Sequence, residues 1–446
     1  MPLSFFTTLF GQCFTTLAAA LDPRSATRYA QLLAAALVAC GRRTVTAWIR
    51  AAGRHSDFRA CYTTIAAAGR RADTLARRLV QDVLRPGPLL QRLLRVDLAL
   101  DDTPTPRYGP HVQGAGIHHN PTPGPAGSAS VYGHVWVTLA LLLRHPLWGV
   151  LALPLLARLD IRKTDLSSID PAHRPAFRTK LELAVELVEW AKTCFSFLGL
   201  KLRVVVDGAY AKRAFLGPVL RAGVVVVSRL PSNAALYDQP PPRRPGQRGR
   251  PRVRGARLSL RHRAAAPGGW QTGTFQLYGA AQEKRYKTFV ALWPPAGGLL
   301  RVVLVREDEG SWRAYFCTDP TATVADILEV VADRFTIETA FRDLKEIVGA
   351  GQQQTRFHGA NVGSYHTCLW ALTLTEVWAW ERSGAALLGQ RSASPWDRAE
   401  RRPSHADKRR AFRRELLGAE LTAVCQPYLS AAEIQRLSER LLALAA

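Results

Sequence analysis

Residues 331–345 of the 446-residue chain read VADRFTIETAFRDLK, and this stretch has the most informative spacing in the sequence. Arg334, Glu338 and Lys345 are separated by four and seven positions. At about 100° per residue in an α-helix, all three side chains fall within roughly 40° on one helix face. The adjoining apolar stripe, which would pack this helix on the protein, consists of Ile337, Phe341, Leu344 and Val348. Exposed ion pairing would give the same charged row, so the helix alone does not define a site.

Two aspartates that precede this helix stand at the carboxyl ends of predicted strands. Asp102 follows the stretch LRVDLAL, and Asp207 follows KLRVVV. In open α/β sheets, the carboxyl ends of the strands are where sites assemble. A single aspartate at such a position is more often a turn or cap residue. The two acids therefore indicate a functional site only when they are taken together with the helix.

Strands that alternate with helices predict an α/β fold. A Pro-, Gly- and Arg-rich stretch interrupts this alternation of strands and helices, and the strand-like segments after the stretch predict a β insertion. The predicted parts are a helical, DNA-binding N-terminal domain (1–90), the first part of the core (91–230), a basic loop with the β insertion (231–320), the second part of the core (321–382) and a helical, basic C-terminal region (383–446). The N-terminal helices would equally suit a bundle that only packs on the rest.

The charge of the chain indicates a polyanionic partner. Lys and Arg number 60 against 35 Asp and Glu, a formal net charge of +25, while 47% hydrophobic residues exclude a mostly disordered chain. A bias toward Arg and Ala would explain Arg over Lys, but not the excess of cations over anions. The predicted phosphate-binding arginines of the basic loop are Arg243, Arg244, Arg248, Arg250, Arg252 and Arg254, and the alternative for them is a solvated charge run.

Cysteine usage and hydropathy bear on the compartment. The seven cysteines are scattered without a Cys-x-x-Cys pair, which argues against structural zinc and against a secreted disulfide scaffold. The apolar N-terminal segment lacks the basic region of a signal peptide. The apolar run from Val135 to Leu156 is interrupted by Arg144, His145 and Pro146, which favours buried structure over a membrane span. We therefore expect a cytoplasmic protein without a membrane partner.

Together, the two acids, the insertion and the helix resemble the cut-and-paste insertion-sequence transposases of the DDE class. That family has an RNase H-like core and a helix signature Tyr-x2-Arg-x3-Glu-x6-Lys, which is matched here except that Val331 stands in the Tyr position. The stretch RFTIETAFRDLK resembles the family's R-W-x-I-E-x-x-F-x-x-L-K, with Phe335 in place of Trp. LDDT resembles its strand-end Asp followed by Thr, which selects Asp102 over Asp101, and VVVDGAYAKR resembles its second acidic motif. The resemblance covers about residues 95–380.

The resemblance implies a function and a site. Asp102, Asp207 and Glu338 would be the catalytic residues and the ligands of two Mg²⁺ ions, for which Mn²⁺ can substitute. Arg334 and Lys345 would hold phosphates near the scissile bond.

The implied activity is that of a transposase, a DNA endonuclease and strand transferase. It would cleave transposon ends and join them to target DNA, which makes double-stranded DNA the partner, a dimer on DNA the expected assembly and the bacterial nucleoid the location. The alternatives are a catalytically silent, transposase-derived DNA-binding protein and an RNase H-like nuclease that never joins strands.

Overall fold

The structure is a computed structural model that describes residues 8–119, 127–242, 249–307, 310–389, 394–398, 401–425 and 428–437. The helices of the N-terminal part are α1 (Leu9–Ala18), α2 (Pro23–Val38), α3 (Val45–Ala51), α4 (Phe58–Arg70), α5 (Ala72–Arg78) and α6 (Pro88–Gln91), with a π-helical turn at Leu79–Leu84. The side chains of Thr8, Asp22 and Thr44 each accept a backbone N–H in the first turn of the following helix. These polar caps explain where α1, α2 and α3 begin.

The α/β core follows directly. Its elements are β1 (Val96–Pro106), β2 (Gly116–His119), β3 (Ser130–His145), β4 (Gly149–Asp160), α7 (Lys180–Cys194), β5 (Leu202–Val206), α8 (Arg213–Arg221) and β6 (Val225–Leu230). The central strands lie in the order β4-β3-β1-β5-β6, where β3 runs antiparallel to both of its neighbours, β4 and β1, and β5 and β6 run parallel to β1. The predicted α/β class with an RNase H-like core is confirmed.

The predicted β insertion adds its strands to this same sheet. Its elements are β7 (Leu236–Tyr237), β8 (Arg257–Leu258), α9 (Leu260–Ala265), β9 (Gln271–Leu277), β10 (Ala280–Trp293), β11 (Gly298–Arg306) and β12 (Trp312–Cys317). β12 pairs antiparallel with β6, and β11 and β10 follow it outward, so that the described strands form one 12-stranded sheet. The insertion thus covers the edge that β6 would otherwise expose.

The remaining helices are α10 (Val324–Arg334), α11 (Thr336–Asp343), α12 (His358–Ala379), α13 (Gly384–Leu388) and α14 (His405–Cys425), with a π-helical turn at Leu344–Val348 after α11. The helix predicted from Val324 to about Lys345 with little interruption is present as α10 and α11, interrupted at Phe335, and Lys345 lies in the π turn that follows. The interruption is the single turn residue Phe335, and the N–H of Glu338 bonds the carbonyl oxygen of Phe335, three residues back. Among the described helices, none is long and apolar enough to cross a membrane.

The reason for the second irregularity lies in the two faces of the sheet. The predicted apolar stripe divides, because Ile337 and Phe341 pack with Ala99 and Val205 on one face. Leu344 and Val348, by contrast, belong to the large core cluster on the other face, together with α7, α12 and the N-terminal helices. The π turn changes the direction of the side chains so that one segment reaches both cores.

Helices α4 and α12 pack so closely that only glycine fits between them. A Cβ at Gly363 would overlap the carbonyl oxygen of Ile65, and one at Gly69 would overlap the carbonyl oxygen of Gly359. We expect Gly363→Ala to lower the free energy of unfolding by about 1–3 kcal/mol, because two backbones would have to move apart. Urea unfolding measures this loss.

The matched control for this substitution is Gly418→Ala in α14, where an added Cβ meets nothing within 4 Å. Alanine is the better helix former, so this variant should be neutral or more stable by up to about 1 kcal/mol. A Gly363→Ala protein that is as stable as the Gly418→Ala protein would show that the two helices do not pack through their backbones.

Candidate active site

β1 carries two adjacent aspartates, Asp101 and Asp102, directly after its last residue paired with β5, and they point to opposite faces of the sheet. The prediction that the strand ends at these acids is wrong, because β1 stays paired with β3 as far as Pro106. Successive side chains of a strand alternate between faces, and in β1 Leu98 and Leu100 lie in the large core, whereas Ala99 lies in the core beneath α10 and α11. The same alternation continues through the next two residues of the strand. It directs the side chain of Asp101 toward α10 and α11 and that of Asp102 toward α7. The hydrogen bonds of both side chains agree with it.

Asp101 is the carboxylate that meets the helix pair. Its Oδ2 atom accepts a hydrogen bond from Nη1 of Arg334, the last residue of α10. Burial, opposed by the Arg334 charge and reinforced by the charges of Asp102 and Asp207, raises the pKa of the Asp101 carboxyl to about 6. Neighbouring negative charge of this kind favours a cation at the same point.

Asp102 has different partners. Its Oδ2 atom is 2.9 Å from Nζ of Lys180, the first residue of α7, and its Oδ1 atom accepts a hydrogen bond of 2.9 Å from the hydroxyl of Tyr210. Tyr210 is buried, and burial, followed by the Asp102 charge, raises the pKa of its hydroxyl, which keeps it a donor. Asp102 therefore connects β1 to α7 and to the turn at Gly208–Tyr210.

The other two predicted acids lie near Asp101. Asp207 directly follows β5, where Val205 faces the α10–α11 core and Val206 the large core, so the alternation places Asp207 on the Asp101 face. It is exposed, and its charge contributes to the raised pKa of Asp101. Glu338 lies in α11 and accepts a hydrogen bond of 3.4 Å from Nη2 of Arg334. The guanidinium of Arg334 thus contacts both Asp101 and Glu338.

The structure gives the predicted phosphate-binding residues separate positions. Arg334 is at the site, whereas Lys345 lies in the π turn, where burial lowers its pKa and the nearby opposing charge is Glu346. Arg250, Arg252 and Arg254 are exposed, with the Arg254 guanidinium 5.0 Å from the ring centroid of Tyr237. The other predicted arginines of the loop, which lie outside the described residues, are Arg243, Arg244 and Arg248.

The chemistry of the acids suits a divalent cation. Within the described ranges, no three His, Cys, Asp or Glu side chains are already grouped closely enough to hold a metal ion. Asp101, Asp207 and Glu338 nevertheless offer the hard oxygen atoms that Mg²⁺ prefers. One cationic group, the guanidinium of Arg334, already bonds two of them. The donor set therefore fits such an ion.

Comparison with known proteins supplies the family. The model of the DDE superfamily endonucleases matches residues 10–288. The chain belongs to the DDE superfamily endonucleases. The matched part of the chain includes both aspartates of β1 and Asp207, and it ends before Glu338. The predicted relationship to the DDE class is confirmed.

Two further comparisons add little to this. No curated protein matches the sequence. A similar solved structure is that of a piggyBac transposase in a synaptic complex with hairpin DNA, determined by cryo-EM, at 8% identity and a TM-score of 0.36. The match covers 82% of this chain and 66% of the transposase chain, slightly less than two thirds of it.

Sequence reasoning did not single out Lys180 or Tyr210. Tyr210 stands within the quoted motif VVVDGAYAKR, but nothing in that string indicates that its hydroxyl reaches β1. Lys180 is separated from Asp102 by 78 positions. Both contacts depend on the pairing of β1 with β5 and on the position of α7, which only the folded chain defines.

Proposed function

We propose that this protein is a DNA transposase that cleaves transposon ends and joins them to target DNA. The observation that carries the proposal is that Arg334 bonds both Asp101 and Glu338, while Asp207, directly after β5, is close enough to Asp101 for its charge to raise the pKa of that carboxyl. Asp101, and not the Asp102 predicted from the sequence, is the proposed first member of this group, because Asp102 faces α7.

The proposed residues have distinct tasks. Asp101, Asp207 and Glu338 would hold divalent cations, proposed as two Mg²⁺ for which Mn²⁺ can substitute. Bound there, the ions activate the attacking oxygen and stabilise the leaving oxygen of a phosphodiester. Arg334 keeps Asp101 and Glu338 directed toward each other and offers a fixed cation for a phosphate oxygen.

Around this group, the chain fixes the geometry. Asp102, through Tyr210, holds the turn that follows Asp207 against β1, so that Asp101 and Asp207 keep their relative positions. The partners under this proposal are double-stranded DNA, as transposon end and as target, and a second copy of the protein on that DNA. Lys345 and the exposed arginines of the basic loop remain proposed DNA contacts.

The test is a cleavage and joining assay on DNA that carries the inverted repeats flanking the gene. With Mg²⁺, the wild-type protein should release free ends and form joined products, and chelation of the metal with EDTA should stop both reactions. Glu338→Gln should stop both while leaving DNA binding intact. The matched control is Glu346→Gln, an exposed glutamate eight positions further on, which should retain activity.

The other possible functions appear as other outcomes of this assay. Ends that are bound but never cut in Mg²⁺ or Mn²⁺ would identify a silent DNA-binding protein. Ends that are cut but never joined would identify a nuclease. Either result would overturn the proposed transposase activity.

A further inference from the structure

Arginines converge where α14 meets the segment between α2 and α3. We call this group the arginine cluster, and its members are Arg43, Arg409, Arg410 and Arg413. Three of them donate to consecutive residues of segment 39–41: Arg409 to the carbonyl oxygen of Ala39 (2.9 Å), Arg413 to Sγ of Cys40 (2.7 Å) and Arg43 to the carbonyl oxygen of Gly41 (2.5 Å). Positive charge from two distant parts of the sequence is therefore gathered at one place.

The charge of the cluster is poorly compensated. In the described part of the chain, the carboxylate that contacts it is Asp407, at 2.7 Å from Arg410, and Asp407 also accepts two hydrogen bonds from Arg401. Arg409 is 6% exposed, and burial together with the charges of Arg43, Arg413 and Arg410 lowers its pKa to about 10. Like charges held this close destabilise the free protein.

Unsatisfied donors accompany this excess charge. In the described structure, the Nε atoms of all four cluster arginines are buried without a hydrogen-bond partner. Buried donors are normally paired, and each unpaired one costs free energy. An anion bound at the cluster would offset the repulsion between the guanidiniums and would offer acceptors to the groups that can reorient toward it.

The cluster is mounted on the segment that follows α11 and its π turn. The backbone N–H of Arg43 donates to Oε1 of Gln352 (2.7 Å), and its carbonyl oxygen accepts from Nε2 of Gln353 (2.6 Å). Gly349 has a φ of 89°, and a Cβ there would collide with the Arg43 side chain. An anion bound at the cluster would thus be held at a fixed position relative to the helix that carries Glu338.

We propose that the arginine cluster binds backbone phosphates of double-stranded DNA, an inference that rests on the proposed function. Guanidinium forks match the geometry of phosphate oxygens. Arg43, Arg410 and Arg413 are partly exposed beside the buried Arg409, and several guanidiniums so close together suit a repeating polyanion. The formal net charge of +25 draws the same partner toward the protein. The cluster would bind the duplex at a distance from the cleaved bond. The N-terminal and C-terminal regions, which both contribute to the cluster, would then contact the same DNA.

The experiment measures the affinity of the full-length protein for a duplex carrying a transposon end as a function of salt concentration. Arg413→Gln should raise the Kd about tenfold, because one charge-assisted hydrogen bond to phosphate is lost. It should also reduce the slope of log K against log[salt] by about 1, whereas Arg413→Lys should keep that slope. The matched control is Arg414→Gln, an exposed neighbour on α14, for which both quantities should change little.

Two outcomes would overturn the proposal. Unchanged affinity and salt slope in Arg413→Gln would show that the cluster does not touch DNA. A changed response of the Tm to inorganic phosphate, with unchanged duplex binding, would show a site for free anions. DNA cleavage by the wild-type protein is measured in parallel. A protein that binds the duplex through the cluster but never cuts it would contradict the proposed function and would leave the proposed phosphate site standing.

Discussion

Replacing Asp101 with Asn is expected to abolish DNA cleavage, with a loss of at least about 10³-fold in rate. The change removes one charged oxygen donor from the proposed metal-binding group while keeping the shape of the side chain. A metal-bound group stabilises the transition state by several kcal/mol, and about 4 kcal/mol corresponds to this factor. Single-turnover cleavage of end-containing DNA in Mg²⁺ measures the effect, and duplex binding measured beside it should stay near that of the wild type.

The adjacent variant, Asp102→Asn, is the matched control because it makes the same chemical change one residue away on the other face of β1. An amide oxygen can still accept the hydrogen bond of Tyr210, so the rate should stay within about tenfold of the wild type. If Asp102→Asn is inactive while Asp101→Asn cuts DNA, the assignment to Asp101 is wrong and the one taken from the sequence motif stands.

This pair of residues shows how far the sequence can go. The order of the two acids, the insertion and the helix can be recognised in the sequence. This order predicted the α/β class, the RNase H-like core and the DDE family. The choice between Asp101 and Asp102 is not legible there, because it depends on which face of β1 lies beneath α11. A motif that selects the aspartate next to Thr103 carries no information about that face.

Other features escape sequence analysis for related physical reasons. The interruption at Phe335 has no Pro or Gly that would predict it. The π turn is needed because one segment packs into two hydrophobic cores, one on each face of the sheet. The strands of the insertion are legible, but their pairing with β6 is a tertiary event. The arginine cluster joins Arg43 to residues more than 360 positions away, and no local pattern records such proximity.

Replacing Lys408 with Met is expected to lower the free energy of unfolding by about 3–5 kcal/mol. Lys408 is 2% exposed and donates to the carboxylate of Glu376, which also accepts a hydrogen bond of 2.7 Å from Nδ1 of His405. Methionine keeps the volume beside Trp148 but leaves the Glu376 charge without its closest cation, which is the costly way to break a buried ion pair. Chemical denaturation at neutral pH measures the loss, and Arg414→Met on the exposed face of α14 should change stability by less than about 0.5 kcal/mol.

The pH dependence separates this explanation from a simple loss of packing. Burial raises the pKa of Glu376, but Lys408 and His405 outweigh it and bring the pKa to about 2, below the ordinary value of 4.5. In the wild type, the stability that Glu376 contributes is therefore present above about pH 4.5 and is lost as the pH falls toward 2. In Lys408→Met, the effect of burial should exceed that of the remaining partner and raise the pKa of Glu376. Lowering the pH should therefore restore part of the lost stability. The double variant Glu376→Gln, Lys408→Met should regain stability at neutral pH. A loss that neither acid nor the second substitution reduces would mean that Lys408 acts through packing and not through its charge.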